Sequence, residues 1–162
     1  MAGKRMFERS SRECDLIHMT PELADAIKAW AEKEERTELL AQAIAGCETA
    51  STVLKRGFMS RVGKMPKEQL CGMLLTPTWL IWATKADDNA PFAVGVRLAD
   101  AEIKDYLKDP DYALAADDGV RVFGFIGHAP ERGSVFLGLG EDVYGRAFKE
   151  KLLATWRAAR PD

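Results

Sequence analysis

The chain lacks any long apolar run: its hydrophobic residues come in short stretches, none near the ~18 consecutive positions that a membrane-spanning helix requires. Its basic start, with Lys4, Arg5, Arg9 and Arg12, is not followed by an apolar stretch of signal-peptide length. Cysteine is scarce. Cys14, Cys47 and Cys71 are odd in number and irregularly spaced, which argues against a disulfide framework and for reduced thiols, so the expected address is cytoplasmic. There is no surplus of one charge either. With 23 Lys and Arg against 25 Asp and Glu, the net charge of -2 gives no bulk attraction to nucleic acid or to anionic lipid.

Chemistry-bearing patterns are equally thin. Cys14 and His18 are spaced like half of a metal site, but further ligands would have to come from distant Cys47, Cys71 or His128, whereas tetrahedral zinc gathers ligands in close pairs; no metal is expected. His128 and Glu131 have no positioned nucleophile beside them in sequence, so they do not make a hydrolytic site. Asp109, Asp111, Asp117 and Asp118 lack the spacing of a calcium loop and read as turn residues. The Gly-Leu-Gly-Glu-Asp stretch at Gly138 and Gly140 lacks the lysine and glycine run of a nucleotide cradle, and its glycines read as room for the backbone. No cofactor is expected, and an enzyme, such as a small hydrolase, is the remotest of the functional readings.

What the chain does have is the composition of an ordinary globular protein, 47% hydrophobic and 30% charged over 162 residues. That is enough for one domain, alone or with an attached helical piece. Val143 to Ala159 is amphipathic: a 3.6-residue period places Tyr144, Phe148, Leu152, Trp156 and Ala159 along one side and Lys149, Glu150, Arg157 and Arg160 away from it. Such a helix needs an apolar surface, and the short β-like segments from about Gln69 to Leu139 supply one.

Residues 1–19 are polar and of mixed charge, and are expected to be a flexible N-terminus. Residues 20–66 read as a helical extension. Thr20-Pro21-Glu22 is a helix opening, after which Leu23, Ala26, Ile27 and Trp30 share a side; the helix breaks near Arg36, resumes with Leu40, Ala43 and Ile44, and stops at Gly46. A second helix is expected from about Thr49 to Phe58, against the poor helix propensity of Thr49, Ser51, Thr52 and Val53. Lys55, Arg56, Arg61, Lys64 and Lys67 form a basic stretch without acids, interleaved with Phe58, Met59 and Met65. It reads as a solvated linker, or alternatively as a weak contact with an anionic membrane surface.

Residues 67–160 read as a β domain closed by the Val143 to Ala159 helix, and from Gln69 the period is two. Leu70–Leu75 and Trp79–Thr84 make a tight antiparallel pair, and the second of these is apolar on both faces, with Leu80 and Trp82 on one and Trp79 and Ile81 on the other. After the Asp87-Asp88-Asn89 turn, Phe92, Val94, Val96 and Leu98 alternate with Ala93, Gly95 and Arg97. Residues 99–108 fit a helical turn or a strand. Tyr112–Ala115 is expected as a short strand, Asp117-Asp118-Gly119 as a turn, and Val120–Ile126 and Val135–Leu139 as the last strands.

In this order of elements the chain resembles a pleckstrin-homology-like (PH-like) domain, in the bacterial, GRAM-related branch, over about residues 67 to 160. The resemblance is carried by LCGMLLTPTWLIWATK as an opening hairpin, PFAVGVRLADAEIKDYL as the next pair, YALAADDGVRVFGFIG as another hairpin, and SVFLGLGEDVYGRAFKEKLLATWRAA as the final strand and helix. It implies a mainly β fold with flanking helices: a seven-stranded, bent antiparallel sandwich or partly open barrel, capped by the C-terminal helix. Family members bind inositide headgroups, peptides or partner proteins. The positions matching the family's basic headgroup cradle are Leu75, Thr76, Pro77 and Thr78, with only Lys85 beyond, so inositide binding by that route is not expected.

One surplus remains. Trp79 and Ile81, with Phe123 and Phe125 on the second alternation of the Val120–Ile126 strand, give more apolar side than a sandwich with one interior uses. These four are the interface candidates. Their cover is either the N-terminal helix, through Leu23, Ile27 and Trp30, or a second copy of the chain or another protein. The expected function is a non-enzymatic binding or scaffold module.

Overall fold

In a computed structural model, which describes residues 5–54, 67–113 and 116–161, the two-residue alternation becomes a pair of antiparallel sheets. The elements are β1 (Phe7–Glu13), α1 (Pro21–Lys33), β2 (Ala45–Val53), β3 (Glu68–Leu75), β4 (Trp79–Ala86), β5 (Phe92–Arg97), β6 (Glu102–Asp105), β7 (Gly119–Gly124), β8 (Gly133–Gly138) and α2 (Val143–Ala159). Strands β1 to β5 pair in sequence order as a five-stranded sheet, and β6 to β8 as a three-stranded one. The sheets are not closed into a barrel.

The inner faces meet in a core where Met73, Leu75, Leu80, Trp82, Val96 and Leu98 of the larger sheet and its flank pack with Val120, Val122 and Leu137 of the smaller one. Helix α2 closes this core with Phe148 and Leu152, both buried, and Trp156 donates its indole N–H to the Ala101 carbonyl at 2.8 Å. The opposite face of the larger sheet is apolar too, and α1 covers it: Leu74, Ile81 and Ala83 pack with Leu23, Ala24 and Ile27. Leu23, Ile27 and Ile81 are fully buried, each worth roughly 1.5–3 kcal/mol of transfer free energy. This accounts for the two-sided apolarity of β4, which is a central strand between two layers.

Helix α1 opens at Thr20 with Pro21 in the first turn, as its sequence predicts, but the threonine hydroxyl does not cap it. Instead the buried Glu48 of β2 accepts from the Thr20 amide at 2.7 Å and its hydroxyl at 3.0 Å, which places a carboxylate at the positive end of the helix dipole. The helix ends at Lys33, three residues before Arg36. Glu35 sits in the left-handed region with φ 55°, and its amide and that of Arg36 return to the carbonyls of Glu32 and Ala31. This is the closing motif usually made with glycine.

Several expectations are corrected. Residues 7–13, expected within a flexible terminus, are the edge strand β1. The helix does not resume as α-helix after Arg36: Thr37–Gln42 is a 3₁₀ segment, and the expected helix from Thr49 is occupied in its first part by β2. Thr49, Thr52 and Val53, poor helix formers, are β-branched and suit a strand. The stretch 99–108 contains both alternatives, a strand at Glu102–Asp105 between 3₁₀ turns, with Ile103 pointing into the core. Pro110–Ala113 is a 3₁₀ turn where a strand was expected, so β7 pairs with β6. Lys149, placed by the helical period away from the core side of α2, is buried.

Polar side chains explain both β1 and Lys149. The Ser11 hydroxyl meets that of Thr49 at 2.7 Å and accepts from the Gly140 amide at 2.8 Å, while Asp142, the N-cap of α2, accepts from the amides of Ser11 and Gly145. Arg9 makes two parallel bonds to Asp117, at 2.8 and 2.7 Å, and also donates to Ser51. Lys149 reaches Asp118 at 2.7 Å and Asp105 at 3.2 Å. A β-carbon at Gly138 would collide with the Arg9 guanidinium, so this glycine makes room for a side chain from β1.

Candidate functional site

The edges of the larger sheet differ, and the β5 edge carries a concavity lined by aromatic rings. A cleft of about 250 Å³ is bounded by Trp30 and Glu34 at the end of α1, Trp79 of β4, Gly95 to Arg97 of β5, and Phe125 and Gly127 after β7. A second hollow of about 400 Å³ continues beyond Trp30 and Glu34 along Pro91, Phe92 and Val94. Between them, Glu34 and His128 pair at 2.7 Å, so this contact straps the end of α1 to the β7–β8 loop.

The local sequence builds this place directly. Trp30 lies one turn beyond Ile27 on the side of α1 that meets the sheet, and Gly95 lets it come close: a β-carbon at Gly95 would fall 2.6 Å from the indole. Trp30 and Trp79 are 5.7 Å apart between ring centres and tilted by 60°. The left-handed turn at Glu35 brings Arg36 back over Trp79, 4.8 Å from the ring centre, and Arg97 approaches the same ring at 5.8 Å. Arg132 lies 5.6 Å from the centre of Phe125. No carboxylate among the described residues is within ion-pair distance of Arg36, Arg97 or Arg132, whereas Arg9, Arg12 and Arg121 are all paired with acids. Phe92 and Phe125 are 62% and 53% exposed, a large aromatic area to leave open beside unpaired cations.

No protein-family model, curated protein or solved structure matches the chain.

The four interface candidates fall in three environments. Trp79 and Phe125 come together in the cleft. Ile81 is fully buried beneath α1. Phe123 is partly exposed and accompanied by the Lys104 ammonium at 5.4 Å from its ring centre. Of the basic stretch, Lys55, Arg56, Arg61 and Lys64 lie outside the described residues; Lys67 is exposed, and its backbone amide is held by the Asp87 carboxylate at 3.1 Å. Sequence reasoning missed Phe92, Arg36, Arg97 and Arg132 as site residues. Phe92 read as a core position by alternation, yet it heads its strand, and the arginines carry no signal until folding gathers them.

The remaining chemical groups are committed to structure. His128 pairs with Glu34 of α1, and His18 with Asp15 at 2.7 Å. Burial pushes the thiol of Cys14 up to about 11 and that of Cys71 up to about 12, which makes them poor nucleophiles at neutral pH. Among the described residues no three His, Cys, Asp or Glu side chains are grouped to hold a metal ion. Asp109 and Asp111 both face Arg121, while Asp117 and Asp118 face Arg9 and Lys149. No described helix is long and apolar enough to cross a membrane.

Proposed function

We propose that this chain is a non-enzymatic binding module that presents the cleft between α1, β5 and the β7–β8 loop to a segment of another polypeptide. The observation that carries this reading is the coincidence, at one sheet edge, of two exposed phenylalanines, a tryptophan pair and three arginines without acid partners among the described residues. Aromatic and arginine side chains are the groups that dominate protein interfaces energetically. We also keep the PH-like description as a proposal. The two sheets and the C-terminal helix plugging their core support it, although residues 67–160 contribute six of the strands and β1 and β2 extend the first sheet.

The test is selection of a displayed library of random ten-residue peptides on the full-length chain. Enriched peptides are expected to lose about tenfold or more in affinity when Phe92 and Phe125 are both changed to serine, with little change in the protein's stability. Peptides indifferent to those changes, or no enrichment at all, would overturn the reading.

A further inference from the structure

The floor of the cleft is a sheet edge with its main chain unpaired. The Leu98 amide donates to the Thr78 carbonyl at 2.9 Å, which fixes the phase of the β4–β5 ladder: Leu80 with Val96, Trp82 with Val94 and Thr84 with Phe92 exchange bonds. By the same phase the N–H and C=O groups of Ala93, Gly95 and Arg97 point away from β4. No other described strand pairs with β5 on that side, and no backbone–backbone bond among the described residues reaches it. Exposed edges are normally blunted with charge, proline or a covering element. Here proline and charge stand only at the two ends, as Pro91 and Arg97; between them Ala93 and Val94 are half-buried, and Gly95 lies buried against Trp30 at the bottom of the cleft.

The walls suit an added strand. On one side Trp30 presses against Gly95 and stacks on Trp79; on the other, Gly127 lies beside Val94 and Phe125 closes the end. Alternate side chains of an incoming strand would face these two walls in turn. The rim is cationic in a chain whose net charge is -2: among the described residues Arg36, Arg97 and Arg132 have no carboxylate partner, Lys33 borders the second hollow, and the acids that line the two hollows are Asp100 and the His128-paired Glu34. An acidic occupant is therefore the complementary one. The Glu34–His128 strap has a 74% exposed histidine, and an exposed pair of this kind opens at little cost.

We propose that β5 is a docking edge: an extended, acidic segment of a partner polypeptide adds to it as a sixth strand, bonding to the main chain of Ala93, Gly95 and Arg97 while its carboxylates meet the arginine rim. The added segment spans about five or six residues, the length over which β5 presents its free groups. This rests on the polypeptide-binding reading above, and specifies how the segment is held.

Arg97 provides a variant that separates main chain from side chain. Its φ of -77° lies in the range proline imposes, and its N–H faces outward, so Arg97→Pro removes one donor without breaking the β4 ladder. Peptides selected from the random library on the full-length chain are expected to be enriched in Asp and Glu. They should bind Arg97→Ala more weakly than wild type, and Arg97→Pro about tenfold more weakly again, the loss of one main-chain bond. N-methylation of alternate peptide residues tests the same bonds without altering the protein: one phase of the alternation should weaken binding strongly and the other should be tolerated. Selected peptides lost on the Phe92→Ser and Phe125→Ser changes but insensitive to both phases of methylation would overturn strand addition and leave the binding reading standing. Peptides without acidic enrichment would overturn the assigned occupant, as would light scattering that shows a dimer of the chain abolished by Arg97→Pro. Failure of any peptide to enrich would overturn both proposals.

Discussion

The two edges of the five-stranded sheet are finished in opposite ways. At β1 the arginines are matched: Arg9 with Asp117, Arg12 with Glu48, and behind them Lys149 with Asp118 and Asp105. At β5 the arginines lie near aromatic rings and have no acid partner among the described residues, and two phenylalanines are left largely exposed. The difference teaches how to separate residues that hold the fold from residues free to do something else. A buried charge is costly to leave alone, so its partner is part of the fold. An exposed aromatic contributes little to folding, and its energetic value appears only when something covers it.

The largest expected effect lies on the β1 side. Asp118→Ala strips the nearer of two carboxylates from a buried Lys149 and leaves it Asp105 alone, so it should cost about 1.5–3 kcal/mol in urea unfolding, the range for a hydrogen bond to a charged group. Combining it with Lys149→Met should recover part of that loss, because the buried ammonium is then gone and the Asp105 carboxylate that remains is less buried and still accepts from the Leu107 amide. A cost below about 1 kcal/mol for Asp118→Ala would break the contrast, since both edges would then be indifferent to their charges.

The same pair gives a pH signature. Burial alone would lower the Lys149 pKa, but the bonds to Asp118 and Asp105 outweigh it and the net direction is up. A group whose folded pKa is raised stabilises fully below its unfolded value, here about 10.4, and that contribution is lost as pH rises through the folded value. Wild-type stability should therefore fall more steeply above about pH 10 than that of Lys149→Met. Burial also raises Tyr106 and the cysteine thiols, but they are common to both proteins and cancel in the comparison. Parallel alkaline profiles for the two proteins would mean that Lys149 is not held as a charged core residue.

The contrast also shows what could be read before folding. The central strands, α2 and the side of α1 that meets the sheet were legible because apolar periodicity reports burial: Leu80 and Trp82 inward, Ile81 outward, Phe148 and Leu152 into the core. Strand β1 was not, because Phe-Glu-Arg-Ser-Ser-Arg-Glu has no apolar alternation, and the partners that fix it, such as Asp117 for Arg9 and Asp142 for Ser11, are over a hundred residues away. Lys149 was misplaced for the same reason, since a helical period cannot show an acid waiting on another element. Half of the cleft was visible in Trp79 and Phe125. Its cationic rim depends on a turn at Glu35 that lacks the glycine by which such turns are recognised.

That turn allows a smaller test on the β5 side. Glu35 adopts φ 55°, where a β-carbon is strained, so Glu35→Gly should stabilise the protein by about 0.5–1 kcal/mol in thermal or urea unfolding. It would do so while keeping Arg36 over Trp79. Destabilisation would show that the Glu35 side chain, rather than its backbone, secures the end of α1.

The smallest expected effect on folding, and the one that most sharpens the contrast, is at the exposed phenylalanines. Phe92 and Phe125 are 62% and 53% accessible, so changing each to serine should move stability by no more than about 0.5 kcal/mol, the usual range for surface positions. Set beside Asp118→Ala, this is the difference between a side chain paired inside the fold and one that waits at its edge. If the cleft receives a polypeptide, the same two changes should remove about 2 kcal/mol or more from binding, as central aromatic contacts commonly do. Unfolding and peptide titration of the double variant measure the two quantities on one sample. A loss of stability above about 2 kcal/mol would make Phe92 and Phe125 part of the core, and the β5 edge would then be closed in the same sense as β1.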